Sequence, residues 1–160
     1  MKNKLFLLCP FSCMENFIRN KYGDDVFFIT AIGTIFQFQE TEYLESIKDF
    51  INRENITEIF VVSDTSCRFI NNALTNENNT GGYSETVIKN LLKDNYAFVM
   101  KEKTVEQQQI KLAELIVNYQ AAELKKPNCL QQQIIQNKIL IRELVTSKKA
   151  NQIIQLTLKQ

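Results

Sequence analysis

Residues 56–62 form a nearly continuous apolar, β-branched run, Ile56-Thr57-Glu58-Ile59-Phe60-Val61-Val62. A run of this kind reads as a strand buried on both faces of a parallel sheet. Residues 4–8 repeat the construction with Leu5-Phe6-Leu7-Leu8, and Val26-Phe27-Phe28-Ile29 supplies a third buried strand. Between the last two, residues 11–22 read as a loop with a helical turn, because Pro10 cannot continue a strand ladder. Thr30-Ala31-Ile32-Gly33-Thr34 reads as a turn in which Gly33 takes positive φ.

Helical spacing appears where the strands stop. Thr41 is placed to cap a helix carrying Leu44, Ile47 and Ile51 on one face, and Asn52-Arg53-Glu54-Asn55 ends it. A short helix is expected over residues 69–74, followed by a polar, turn-rich segment at 76–82. Ser84 and Glu85 start a helix carrying Val87, Ile88, Leu91 and Leu92, and Tyr96-Ala97-Phe98-Val99 reads as a short strand or extended connection. Thr104 caps a long helix that turns Leu112, Leu115, Ile116 and Tyr119 inward. After Pro127, Asn128 is placed to cap a helix over residues 129–146, with Leu130, Ile134, Ile141 and Val145 on one side. Residues 153–158 close the chain as a half-alternating edge strand. Strands alternating with helices predict an α/β fold, a mainly parallel β-sheet flanked by helices. No repeat or linker divides the chain, so residues 1–160 are expected to be one domain.

Composition narrows the function. Nineteen basic against 18 acidic residues leave a net charge of +1, and no basic patch interleaved with aromatics points to nucleic acid. No apolar run approaches the roughly 18 residues of a membrane span. The basic start and the apolar residues after it fall short of the ~7–15-residue core of a signal peptide, so a cytoplasmic protein is expected. The four cysteines, at positions 9, 13, 67 and 129, read as reduced thiols or a metal site rather than a disulfide framework. Histidine is absent, which removes imidazole as a metal ligand, general base or proton shuttle.

The chemistry gathers where two of the buried runs end. Residues 56–62 lead into Ser63-Asp64-Thr65-Ser66-Cys67, and residues 4–8 into Cys9-Pro10-Phe11-Ser12-Cys13. Open α/β sheets place their sites at the carboxyl ends of strands. If these two strands are neighbours, Cys9, Asp64 and Cys67 converge.

These residues, in this order, resemble the β-class carbonic anhydrases. That family ends its first strand in Cys-x-Asp-Ser-Arg, matched here by Cys9-Pro10-Phe11-Ser12-Cys13. Its Gly-Asp-x-Phe-Val-x-Arg-Asn-Ala-Gly-Asn is similar to Asp24-Asp25-Val26-Phe27-Phe28-Ile29-Thr30-Ala31-Ile32-Gly33-Thr34. Its Gly-His-Thr-x-Cys-Gly is similar to Ser63-Asp64-Thr65-Ser66-Cys67-Arg68. A late helix beginning Asn-Val-x-x-Gln, a Val-Arg-Glu and a closing strand resemble Asn128 to Asn137, Ile141-Arg142-Glu143 and the strand at Ile153. The family binds zinc through Cys, His and Cys, so the resemblance carries the ligand positions to Cys9, Asp64 and Cys67. Its Asp–Arg dyad, which gates the fourth zinc position, falls on Phe11 and Cys13. The chain starts directly at the first strand, without the N-terminal helices that embrace a partner subunit in many members.

Several readings of the site follow. Zinc accepts carboxylate oxygen, so Cys9, Asp64 and Cys67 are a legal set, with Cys13 as a potential fourth ligand closing it. Three negative ligands would make the metal a poor Lewis acid. Alternatively Cys9 and Cys67 are small buried hydrophobes, with Asp64 accepting backbone N–H groups at the start of the next helix. Cys9 and Cys13 as a redox pair lack Cys-x-x-Cys spacing. Cys129 is expected to pack a helix. Phe11, Ser12, Cys13, Thr30, Gly33, Ser63 and Thr65 would line a vestigial cleft, with Phe11 as its plug. The leading expectation is a member that has lost carbon dioxide hydration and keeps a structural, binding or regulatory role, as a homodimer or higher oligomer. The alternatives are a zinc hydro-lyase with altered ligands, acting on carbon dioxide or carbonyl sulfide, and a binding module for a small anion or a protein partner at Ser63 to Ser66.

Overall fold

The computed structural model describes residues 2–77 and 81–156. Its strands are β1 (Asn3–Leu8), β2 (Val26–Thr30), β3 (Ile56–Asp64), β4 (Leu140–Ser147) and β5 (Gln152–Leu156), joined in one sheet in the order β2-β1-β3-β4-β5. The first four are mutually parallel, and β5 runs antiparallel along β4 at the edge. The helices are α1 (Glu15–Tyr22), α2 (Thr41–Arg53), α3 (Arg68–Thr75), α4 (Tyr83–Asp94), α5 (Tyr96–Met100), α6 (Val105–Leu124) and α7 (Gln131–Gln136). The α/β class and mainly parallel sheet match the sequence reading; residues 157–158 of the expected last strand lie outside the described residues, as do residues 78–80 of the polar segment.

The continuous apolar runs are explained by two cores. Leu5, Leu7, Ile59 and Val61 face one layer, where Leu44, Ile47 and Ile51 of α2 and Leu112, Ile116 and Val117 of α6 meet them. Phe6, Leu8, Phe60 and Val62 face the other, against Met14 and Ile18. With both faces covered, the stretches Leu5 to Leu8 of β1 and Ile59 to Val62 of β3 are apolar throughout. The second core is small and aromatic. Phe6 stacks on Phe60 with ring centroids 4.5 Å apart, and Tyr22 of α1 tilts over both at 5.1 and 5.2 Å.

Four expectations about the elements are corrected. Residues 11–22 are not chiefly loop: a 3-10 turn over Pro10–Ser12 leads to α1, whose Ile18 is fully buried against the second core. Tyr96-Ala97-Phe98-Val99 is helical, because Asn95 interrupts α4 and the next turn closes locally through Val99 N–H to Asn95 O at 3.1 Å. The helix expected over residues 129–146 is two elements. α7 ends at Gln136, Lys138 takes a left-handed φ of 52°, and β4 then pairs with β3 from Glu58↔Leu140 to Asp64↔Thr146. The spacing of Leu130, Ile134, Ile141 and Val145 thus crosses a chain reversal, and α7 begins after Leu130 rather than at an Asn128 cap. Thr41 is the first residue of α2 instead of its cap, whereas Thr104 caps α6 as expected by accepting from Gln107 N–H at 3.2 Å.

Because the second core rests on few side chains, Phe6→Ala should cost about 3–5 kcal/mol, read as a lower denaturant midpoint in chemical unfolding.

Candidate functional site

The parallel pairing of β1 with β3 delivers the ends of both strands to the same edge of the sheet. Cys9 follows β1 directly, and its carbonyl is held by the amide and hydroxyl of Ser12 at 3.2 and 2.7 Å. After β3 the chain turns through Thr65 and Ser66, and Cys67 opens α3, donating its amide to Asp64 O at 3.0 Å. Cys9 and Cys67 are both buried, with their side chains in hydrogen-bonding contact. That contact holds the Cys9 pKa down to about 6, helped against burial by the amide of Gly33, and pushes the Cys67 thiol well above its ordinary range.

Gly33 is the amide that reaches sulfur. Its N–H donates to Cys9 Sγ at 3.2 Å from a backbone with φ of 65°, the left-handed region that glycine tolerates. A Cβ at this position would lie 2.8 Å from Ile88 Cδ1. The following residue, Thr34, is buried and ties the turn to the central strand by donating to Val62 O at 2.8 Å. Thr30, at the exposed end of β2, takes no part in this arrangement.

Asp64 does not join the thiols. Its Oδ1 accepts from Thr146 Oγ1 at 2.7 Å and Lys148 N–H at 2.9 Å. Its Oδ2 accepts from Ser66 N–H at 2.9 Å and from the Ser66 hydroxyl. The carboxylate is therefore drawn to the β4 side of β3, whereas Cys9 lies on the β1 side. Asp64 does accept backbone amides, but those of Ser66 and Lys148 rather than those of α3.

Cys13 is exposed at φ 50°, with its sulfur 3.8 Å from the carbonyl of Pro10. Its own carbonyl accepts from Lys148 Nζ at 3.0 Å, which fastens this loop to the end of β4. Phe11 is 52 % exposed and plugs nothing. Its ring lies 4.6 Å from the Arg68 guanidinium and 6.0 Å from the ring of Phe69, which itself lies 5.2 Å from the same guanidinium, a surface cluster held by cation–π attraction. Ser63 is buried inside β3. Cys129 is buried as expected, and burial raises its thiol pKa.

A zinc ion needs at least three protein donors arranged around one point. Among the described residues no group of three or more Cys, Asp or Glu is so placed. Cys9 and Cys67 supply two sulfurs, the Asp64 oxygens are committed elsewhere, and Cys13 points away. As it stands, this donor set does not fit the metal.

A polar cleft of about 490 Å³ opens on the other side of Asp64. Thr65, Ser66 and Ser147 form its inner wall at the ends of β3 and β4, and Asn71, Glu106, Gln109 and Lys149 its rim. Gln109 Nε2 donates to Asn71 Oδ1 at 2.6 Å across α6 and α3. Of these, Thr65 and Ser66 stood in the expected cleft, both within the polar loop Ser63 to Ser66. Ser147 and Lys149 were hidden by reading β4 as helix.

A family model described as carbonic anhydrase matches residues 7–153. The chain belongs to the carbonic anhydrase family, with the fold of its β class. A tetrameric β-carbonic anhydrase of Sordaria macrospora superposes with a TM-score of 0.82 at 18 % identity, over 98 % of this chain and 81 % of that one. The β-carbonic anhydrase CafA of Aspergillus fumigatus gives 0.80 at 18 % identity, over 97 % and 75 %. A Coccomyxa β-carbonic anhydrase in complex with acetazolamide gives 0.75 at 16 % identity, over 97 % and 72 %. No match was found among curated proteins compared by sequence.

Two outcomes test the geometry. Gly33→Ala should destabilise the fold by about 1–3 kcal/mol, through left-handed strain and the Ile88 contact, and thermal unfolding will show it. The Cys9 sulfur ionises in the folded state well below the range of an unfolded thiol. Its contribution to stability is therefore present above the unfolded thiol range and is lost as pH falls through about 6. Thiolate ultraviolet absorbance should accordingly titrate near pH 6 and shift upward in Cys67→Ala.

Proposed function

We propose that this chain is a carbonic anhydrase family member that has lost carbon dioxide hydration and serves a binding or regulatory role. The observation that carries the reading is the engagement of Asp64 with Thr146, Lys148 and Ser66, which leaves two thiols where a hydrating metal needs a third donor. The positions to which the resemblance carries the catalytic dyad support it. Phe11 stacks on Arg68 at the surface and Cys13 turns its sulfur to its own loop, so neither can orient a hydroxide. The polar cleft beside Asp64 is the place for a small polar or anionic ligand.

One observation favours a second reading, a zinc-dependent hydro-lyase with altered ligands: Cys9 and Cys67 already lie in contact. It requires Asp64 to release its four hydrogen bonds and turn across β3 toward β1. In either case we place the protein as a homodimer in a reducing compartment such as the cytoplasm. The uncovered outer edge of β2, the surface-exposed Phe11 and Ile32, and four free thiols support this. No helix among the described residues is long and apolar enough to cross a membrane.

Stopped-flow hydration of carbon dioxide decides between the two readings, on untagged protein incubated with zinc and then freed of excess. The expected result is a rate equal to buffer and zinc far below one ion per chain. Turnover well above buffer with stoichiometric zinc would falsify the loss of activity.

A further inference from the structure

We propose that Cys9 and Cys67 form a dithiol that hydrogen peroxide closes to an intramolecular disulfide, so that this sheet edge carries a redox site built from thiols alone. Each cysteine sits at the junction of a regular element with a turn. Cys9 follows the last residue of β1, and Cys67 immediately precedes α3 with φ −56° and ψ 125°. The pairing of β1 with β3 brings those junctions to one edge of the sheet, both cysteines belong to the same buried core, and each thiol hydrogen-bonds with the other. Among the described residues no third ligand competes for the sulfurs, since Asp64 faces β4 and Cys13 faces its own loop. Among the described residues, the polar group aimed at Cys9 Sγ from outside its own segment and the partner thiol is the amide of Gly33, at 3.2 Å.

Burial selects the oxidant. Cys9 is 2 % and Cys67 4 % exposed, so a bulky disulfide such as oxidised glutathione cannot approach either sulfur in line. Hydrogen peroxide is small and uncharged. In the first step the Cys9 thiolate attacks one peroxide oxygen, the O–O bond breaks, and the departing hydroxide takes a proton from solvent to leave as water. This produces a sulfenic acid at Cys9. In the second step the Cys67 sulfur attacks the sulfenic sulfur, the S–O bond breaks, the S–S bond forms, and the Cys67 proton leaves with the hydroxyl as a second water. The two thiols lose two electrons and one peroxide is reduced to two waters. A dithiol reductant reverses the change.

Closing the bond brings the sulfurs to about 2.05 Å, which draws the start of α3 toward the Gly33 turn. Thr65 and Ser66 lie between Asp64 and that helix start, so the polar cleft they line changes shape with the redox state.

The test is differential alkylation of the full chain before and after hydrogen peroxide, quenched under denaturing conditions and mapped by peptide mass spectrometry. Zinc in the same sample is measured by elemental analysis. The expected result is loss of two of the four alkylatable thiols, a Cys9–Cys67 cross-linked peptide, and full recovery with dithiothreitol. In Cys13→Ser, which leaves both partners in place, the cross-link should persist. In Cys67→Ser, a dimedone adduct on Cys9 should replace it. The proposal is overturned if Cys9 and Cys67 stay alkylatable at peroxide levels that oxidise exposed Cys13. A Cys9–Cys13 bridge in place of the expected one overturns it too, as does stoichiometric zinc with both thiols protected. The last outcome would also bear on the loss of hydration; the first two would leave that reading intact.

Discussion

The constraint on which the structure depends is that β1 and β3 are neighbours buried on both faces. Parallel strands in contact must end at the same edge, so whatever follows Leu8 and Asp64 meets there. The two cores hold that pair from opposite sides. One is large, built by α2 and α6; the other is a small aromatic cluster completed by α1. The approach of Cys9 to Cys67, the reach of Gly33 to sulfur and the turn of Asp64 toward β4 all follow from strand ends that cannot move apart without opening both layers.

Much of this frame was legible in the sequence, for a physical reason. A strand covered on both faces excludes polar residues along its length, so Leu5 to Leu8 and Ile59 to Val62 announce themselves without alternation. Amphipathic helices with one buried stripe, such as α2 with Leu44, Ile47 and Ile51, are equally plain. β4 was not legible, because Ile141 and Val145 are four residues apart and a strand and a helix can both place them on one face. The discriminating feature was local: Lys138 takes a left-handed backbone, which no side-chain pattern advertises. α5 failed for the opposite reason, since Tyr96, Phe98 and Val99 favour strands but lie in a stretch where only local hydrogen bonds are available.

The site was half legible. Residue type and order identified Cys9, Asp64 and Cys67 as meeting at one edge, and the thiols do meet. Which way Asp64 points was not encoded in its own segment. It depends on Thr146 and Lys148, which lie more than eighty residues away on a strand misread as helix. Phe11 likewise reads as an apolar filler until Arg68 is seen stacked on it. A side chain's neighbours in space decide its role, and those neighbours are legible only once every strand is placed.

The hydrogen bonds of Asp64 also bear on which residue position 64 can hold. A carboxylate offers several lone pairs, and here it satisfies the Thr146 hydroxyl, the Lys148 amide and both donors of Ser66. Neutral imidazole has a single acceptor nitrogen. Restoring at position 64 the histidine that the family resemblance places there would leave most of those donors orphaned, and spending the acceptor on a metal would leave none served. The surroundings are thus fitted to a carboxylate, and a histidine at position 64 would need changes at positions 66, 146 and 148 as well.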